Sequence, residues 1–169
     1  LLLSYVERHE HSIAKKVEIM VSHFDKFISQ KLDEKAKAMV VTKSRLHAVR
    51  YKQAFDKYLK EQGLKHKAMV AFSGTVKDGG TEYTESSMNG VSEKNTAEEF
   101  KKDQHKFMIV AEKFQTGFDQ PLLDVMYVDK KLSGVNAVQT LSRLNRCYFG
   151  KEEVYVLDFV NDTDDIVKA

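Results

Sequence analysis

The sequence predicts an α/β fold in which a mostly parallel sheet is covered by helices on both faces, with a long amphipathic helix ahead of it. Two observations carry this expectation. Short and almost continuous apolar runs recur at 38–41, 67–72, 107–111, 125–128 and 154–159, and stretches with helical spacing or turn residues separate them. Strands apolar on both faces belong in parallel sheets buried between helix layers. Ahead of the first run, Ile13, Val17, Met20, Val21, Phe24, Phe27 and Ile28 recur at threes and fours, the period of one helix face.

Taken in order, residues 5–32 predict the leading helix, with His11, Lys15, Lys16, Glu18, Ser22, Asp25 and Lys26 on its polar side. Such a helix packs on the flank of a domain or links it to a neighbour. A short charged linker follows at 31–37, so the expected organisation is a packing helix over 1–36 and a main domain over 37–169. After the first strand, Leu46, Val49, Phe55, Tyr58 and Leu59 predict a helix over 44–62 that stops at Gly63, a residue suited to the left-handed end of a helix. The second strand leads into residues 73–94, rich in Gly, Ser, Thr, Asn and acids without any period. This predicts a long loop, the most mobile part of the domain, because it offers little apolar surface against the entropy of ordering. Asn95 then caps a helix beginning at Thr96, with acids in its first turn and bases in its last.

Composition narrows the classes. Hydrophobic residues make up 42% and charged residues 31% of 169 positions, ordinary proportions for a globular domain. A formal net charge of +2 makes no compositional case for nucleic acid, so any DNA contact must come from local arrangement. The single cysteine, Cys147, excludes a disulfide framework and points to a reducing cytoplasm. No apolar run approaches the roughly 18–20 residues of a membrane span. Leu1, Leu2 and Leu3 are followed at once by Glu7, Arg8 and Glu10, unlike a signal peptide. The start at Leu rather than Met suggests a piece of a longer chain.

Several chemistries are missing. Gly74 to Gly79 has the glycine spacing of a phosphate-binding loop but continues Gly80-Thr81, without the lysine that reaches the phosphates. Asp33 and Glu34 follow no apolar strand and do not resemble a magnesium-binding acid pair. The chain alone is therefore expected not to hydrolyse ATP. His9 and His11 lack a ligand set, and no metal site is expected. Glu99 and Lys101 match the tail of a nuclease motif but fall on a helix, and Cys147 has no base beside it.

What remains is a constellation in the last third. Gln139, Arg143 and Arg146 recur at fours and threes in Gln-Thr-Leu-Ser-Arg-Leu-Asn-Arg, which places them on one helical face. Two planar guanidiniums with an amide suit a polyphosphate, although two surface arginines on an amphipathic helix would look the same. Upstream, Thr116-Gly117-Phe118-Asp119-Gln120-Pro121 follows the strand at 107–111, and strand ends of open parallel sheets are where ligands bind. Gly117 permits close backbone approach and Asp119 can accept from a ribose hydroxyl. Alone this would be a simple turn; followed by the arginine run, it carries weight.

That order resembles motifs V and VI of the second RecA-like domain of superfamily 2 helicases and translocases. More closely, Lys-Ala-Met-Val-Val-Thr42-Lys43-Ser44-Arg, the segment Ala71-Phe72-Ser73-Gly74, the Thr-Gly-Phe-Asp turn and the arginine run resemble the motor subunit of type I restriction enzymes, over residues 5–159. The resemblance implies a RecA-like three-layer sandwich and one lobe of an ATP-driven double-stranded DNA translocase that also cleaves DNA. It implies that Arg143 and Arg146 act as arginine fingers on ATP and Mg²⁺ held mainly by a first RecA-like domain, with Gln139 near the attacking water. Gly117 and Asp119 would meet the nucleotide sugar, and Thr42, Lys43, Ser44, Ser73 and Gly74 would follow the DNA backbone. Modification and specificity subunits would be the partners.

Two positions depart from the pattern. Ser142 stands where motif VI commonly has Gly, and Ala111-Glu112 stand where motif V often has a phosphate-contacting Thr, leaving Lys113 as a substitute DNA contact. The alternatives are the C-terminal lobe of another superfamily 2 DNA or RNA helicase, and a non-catalytic α/β docking module.

Overall fold

The structure is a computed structural model that describes residues 2–5, 12–114 and 118–160. Its centre is β2 (Lys37–Thr42), the most apolar of the early runs, all six residues of which are buried. Parallel neighbours flank it on both sides: β6 (His105–Val110) and β7 (Leu123–Asp129). Outward from β6 lies β3 (Lys67–Ala71), and outward from β7 come β8 (Tyr155–Asp158) and then β1 (Leu2–Tyr5). The sheet is six-stranded and parallel throughout, in the order β1-β8-β7-β2-β6-β3.

Two expectations change here. Tyr5, expected at the start of the leading helix, pairs with Asp158 in β1 instead. Helix α1 spans Ile13–His23, begins where the Ser12 side chain accepts from the Lys15 N–H at 3.2 Å, and continues as a π-helical stretch over Phe24–Ile28. Its apolar face is part of the core: Val17, Met20, Val21, Phe24 and Ile28 pack with Val40, Phe55, Phe107 and Tyr127. A short turn, α2 (Lys31–Glu34), leads into β2.

Helix α3 (Arg45–Glu61) covers the same face. The Ser44 hydroxyl caps it by accepting from His47 N–H at 3.1 Å, and Gly63, at φ +64°, turns the chain away after its last turn. Asp129, at the end of β7, binds both helices to the sheet. Its carboxylate accepts from the Tyr51 hydroxyl at 2.6 Å, and both of its oxygens accept from the Lys16 ammonium, at 3.0 and 2.9 Å.

Residues 73–94 are the larger correction. They form a β-hairpin of β4 (Thr75–Asp78) and β5 (Thr81–Thr84), helix α4 (Glu85–Asn89) and a 3-10 turn at Glu93–Asn95. Gly79 and Gly80 both take positive φ, 58° and 81°, as a two-residue hairpin turn requires. Thr84 and Ser87 form a reciprocal capping box at the start of α4, and Gly90 at φ +74° ends it. The segment also covers part of the sheet edge. The Asn89 side chain accepts from Val70 N–H at 2.9 Å and donates to Val70 C=O at 2.7 Å, pairing both backbone groups of that residue on the outer edge of β3 as a further strand would. Helix α5 spans Thr96–Phe100, but Asn95 makes no side-chain capping bond, contrary to expectation.

The opposite face of the sheet is covered by α5, by the crossover between β6 and β7, and by α6 (Gly134–Leu141). Phe100, Phe118, Leu132, Ala137, Leu141 and Leu144 pack there against Met39, Met108, Met126 and Val128. Among the described residues, no helix is long and apolar enough to cross a membrane.

Candidate nucleotide and nucleic-acid site

The crossover after β6 leaves the sheet through two residues held in the left-handed region, Glu112 at φ +63° and Phe114 at φ +64°. Such conformations are disfavoured for side-chain-bearing residues and collect at functional loops. Gly117 lies outside the described residues. Phe118 returns the chain to the core, 5% exposed and stacked on Phe114 with ring centroids 4.8 Å apart. Asp119 follows it and is exposed, while Gln120 is buried and accepts from Leu122 N–H at 3.1 Å through its side chain.

The arginine run does not stay helical. Helix α6 ends at Leu141, and a 3-10 turn carries Ser142–Asn145. Arg146 is already extended, at φ −75° and ψ 135°. The expectation of one continuous helical face is therefore corrected: Gln139 is on the helix, Arg143 on the tighter turn and Arg146 beyond it. This extended backbone turns Arg146 onto the crossover, where its Nε lies 3.1 Å from Asp119 Oδ1. Lys151 secures this arrangement by donating to Arg146 C=O at 3.0 Å and to Pro121 C=O at 3.2 Å. Leu144, fully buried, anchors the turn between the two arginines.

Arg143 is half-buried, and its Nε is enclosed without a hydrogen-bond partner among the described residues. A buried guanidinium nitrogen without an acceptor carries a desolvation cost. Around the arginines stand exposed apolar side chains: Val135 (71% exposed) and Val138 (49%) on α6, and Phe149 (97%) after the turn. Cys147 is exposed, and the described residues hold no group of three His, Cys, Asp or Glu side chains fit for a metal ion. His9 and His11 lie outside the described residues.

The remaining predicted residues gather elsewhere, at the ends of β2 and β3. Lys43, Ser44, Ser73 and Gly74 are exposed there. Arg45, absent from the sequence expectation, joins them: its guanidinium donates to Ser73 C=O at 2.9 Å. Gly74 makes room for it, since a Cβ at that position would lie 2.9 Å from the Arg45 Nη1, and φ is +76°. The sequence signal was available in the Ser-Arg pair, but nothing in it showed that Gly74 would lie under the arginine.

Two of the expected DNA contacts are engaged inward. Thr42 is fully buried, and its hydroxyl donates to Val110 C=O at 2.9 Å, bracing β2 against β6. The Lys113 ammonium is taken up by Glu85, 2.9 Å from Oε1, with Glu93 at 3.9 Å. Neither side chain is presented to a phosphate. His47, in the first turn of α3, has an enclosed Nδ1 without a partner, and burial followed by the charge of Lys43 holds its pKa below the usual range.

A parallel sheet in this strand order, covered by helices on both faces, has the fold of a RecA-like helicase C-terminal domain. Solved structures agree. A DEAD-box helicase domain 2 of Mss116p bound to an RNA duplex superposes with a TM-score of 0.61 over 100% of this chain and 62% of that one, at 17% identity. A fragment of an HsdR subunit of a type I restriction enzyme from Vibrio vulnificus gives 0.59 over 98% of this chain and 34% of that one, at 13% identity; likenesses at these identities concern the fold.

Sequence comparison gives the family. Residues 80–161 match the family model described as type I restriction enzyme subunit R domain 3. A Methanocaldococcus jannaschii protein named as the MjaVIIP type I restriction enzyme endonuclease subunit is 32% identical over 157 residues, 80% of this chain and 14% of that protein. Another from the same organism, named for MjaIXP, is 30% identical over 95% of this chain and 15% of its own length. The chain belongs to the type I restriction enzyme R-subunit family, and it spans about one seventh of the length of these relatives.

Proposed function

We propose that this chain is the second motor lobe of an ATP-dependent double-stranded DNA translocase within a type I restriction enzyme. In this reading the first RecA-like domain of the same subunit holds ATP and Mg²⁺, whose phosphoryl chemistry drives the motor. Arg143 and Arg146 reach across to its terminal phosphate and offset the charge that accumulates during transfer. Gln139, exposed one turn earlier on α6, orients the attacking water, and Gly117 and Asp119 flank the nucleotide sugar. The single observation that carries the reading is the placing of the arginines: Arg143 is only partly buried and Arg146 is exposed beside the crossover, where guanidinium donors can meet an acceptor on a facing domain. The exposed Val135, Val138 and Phe149 supply apolar surface that the core of an interface with a facing lobe would cover.

At the ends of β2 and β3, Lys43, Ser44, Arg45, Ser73 and Gly74 form a polar row suited to phosphates, which positions the duplex without reading its sequence. Recognition then falls to the specificity and modification subunits of the same complex, in a cytoplasmic setting. In the full-length subunit, Arg143→Ala should abolish most ATP turnover while equilibrium nucleotide binding persists. Wild-type turnover in that variant would contradict the proposal.

A further inference from the structure

Glu85, the first residue of α4, is fully buried yet carries a carboxylate with four bonds. It accepts from Phe72 N–H at 3.0 Å and from the Thr96 hydroxyl at 2.6 Å. Lys113 balances its charge, with Nζ 2.9 Å from one oxygen and 3.1 Å from the other. These partners belong to different parts of the candidate site. Phe72 immediately precedes Ser73 and Gly74 at the end of β3, and α4 continues directly from the β4–β5 hairpin through the Thr84 cap. Lys113 belongs to the crossover that also carries Asp119. It is fixed between the left-handed Glu112 and Phe114, and Phe114 is stacked on the buried Phe118.

We infer that the Glu85–Lys113 pair is a positioning joint that couples the nucleotide side of this lobe to its DNA side. The inference rests on the motor reading above. A buried carboxylate tolerates the loss of its paired cation poorly, because the charge is left unpaired away from water. The crossover therefore cannot shift at Lys113 without drawing α4 and the end of β3 with it. Movement imposed by nucleotide at one end reaches Ser73, Gly74 and Arg45 at the other, and DNA seated there biases the crossover in return, as linkage between two sites requires. Because the joint acts through the crossover and β3, both residues are positioning residues.

The test uses the full-length subunit assembled in its restriction complex. ATP turnover is measured with and without duplex DNA, and Tm is measured alongside, for wild type, Lys113→Met, Lys113→Arg, Glu85→Gln and the Glu85→Gln/Lys113→Met pair. Lys113→Met should lower both Tm and the DNA stimulation ratio. The double variant leaves no unpaired buried charge and should regain Tm, while its ratio stays about 2–30-fold below wild type, the range for residues along a coupling route. Lys113→Arg keeps the charge and should restore most of the ratio. A double variant with a wild-type ratio, or Lys113→Met with one, would overturn the joint. Arg146→Ala in the same assay separates the two levels: if its turnover is unaffected, the motor reading fails and the joint with it. If its turnover collapses while the double variant keeps a wild-type ratio, only the joint fails.

Discussion

Arg146 and Asp119 form an ion pair, Nε to Oδ1 at 3.1 Å, that joins the end of the arginine turn to the crossover between β6 and β7. Both side chains are well exposed, at 49% and 70%, so the pair contributes about 0–1 kcal/mol to folding. Its effect is orientation. It holds the guanidinium on the crossover, and with Lys151 on the Arg146 carbonyl it gives an extended residue a fixed direction.

Asp119→Asn therefore separates stability from activity. Unfolding in urea should change by less than about 1 kcal/mol, whereas ATP turnover by the full-length subunit at saturating nucleotide, where any loss of contact to the sugar is masked, should fall because Arg146 loses its anchor. Equal losses in both measurements would show that the pair is structural.

Gly74→Ala tests the polar row at the ends of β2 and β3. The added Cβ would meet the Arg45 guanidinium at 2.9 Å, and φ is +76°, a region that costs a residue with a Cβ about 1–2 kcal/mol. Displacing Arg45 should weaken duplex binding for all sequences alike. The slope of log K against log salt should become shallower by about one phosphate, or about 0.9. Titration of labelled duplexes of unrelated sequence at several salt concentrations checks both points, and an unchanged slope would remove Arg45 from the interface.

Lys37 gives a prediction about pH. Its side chain is fully buried, its ammonium donates to the carbonyls of Lys102 and His105, and burial followed by the charge of Lys106 pushes its pKa down to about 8. Between about pH 8 and pH 10.5 the unfolded chain keeps this proton while the folded chain releases it. The unfolded state thus binds more protons in that window, and stability rises with pH. The rise is up to about 3 kcal/mol for a depression of this size. Lys37→Met should lose this increment, so the stability of wild type relative to the variant should climb from pH 8 to pH 10. A difference that stays flat or falls would show that Lys37 titrates at its ordinary value.

Much of this lobe was legible because its strands are apolar on both faces. The runs around Val40, Val70, Ile109, Tyr127 and Leu157 all became parallel strands, since no other arrangement buries them so fully. The hairpin is hard to read although Gly79-Gly80 between Thr-Val-Lys-Asp and Thr-Glu-Tyr-Thr is a two-residue turn signature; its strands are too polar to show a clear period. Glu85 was not legible at all, because a buried acid and an exposed one are the same letter until Phe72, Thr96 and Lys113 converge on it. The arginines were found by their spacing, but the passage from α6 into a 3-10 turn, which parts Arg146 from the helix and brings it to Asp119, depends on tertiary packing at Leu144.

The central claim is that Arg146 acts on a phosphate bound to another domain. Single-turnover hydrolysis of ATP by the full-length subunit carrying Arg146→Ala, with nucleotide affinity measured separately, tests it most directly. Loss of an arginine that stabilises phosphoryl transfer lowers the rate by about 10³–10⁵-fold where it has been measured, so the account predicts a fall of that order with affinity little changed. Hydrolysis at the wild-type rate, or a loss confined to nucleotide affinity, would contradict it.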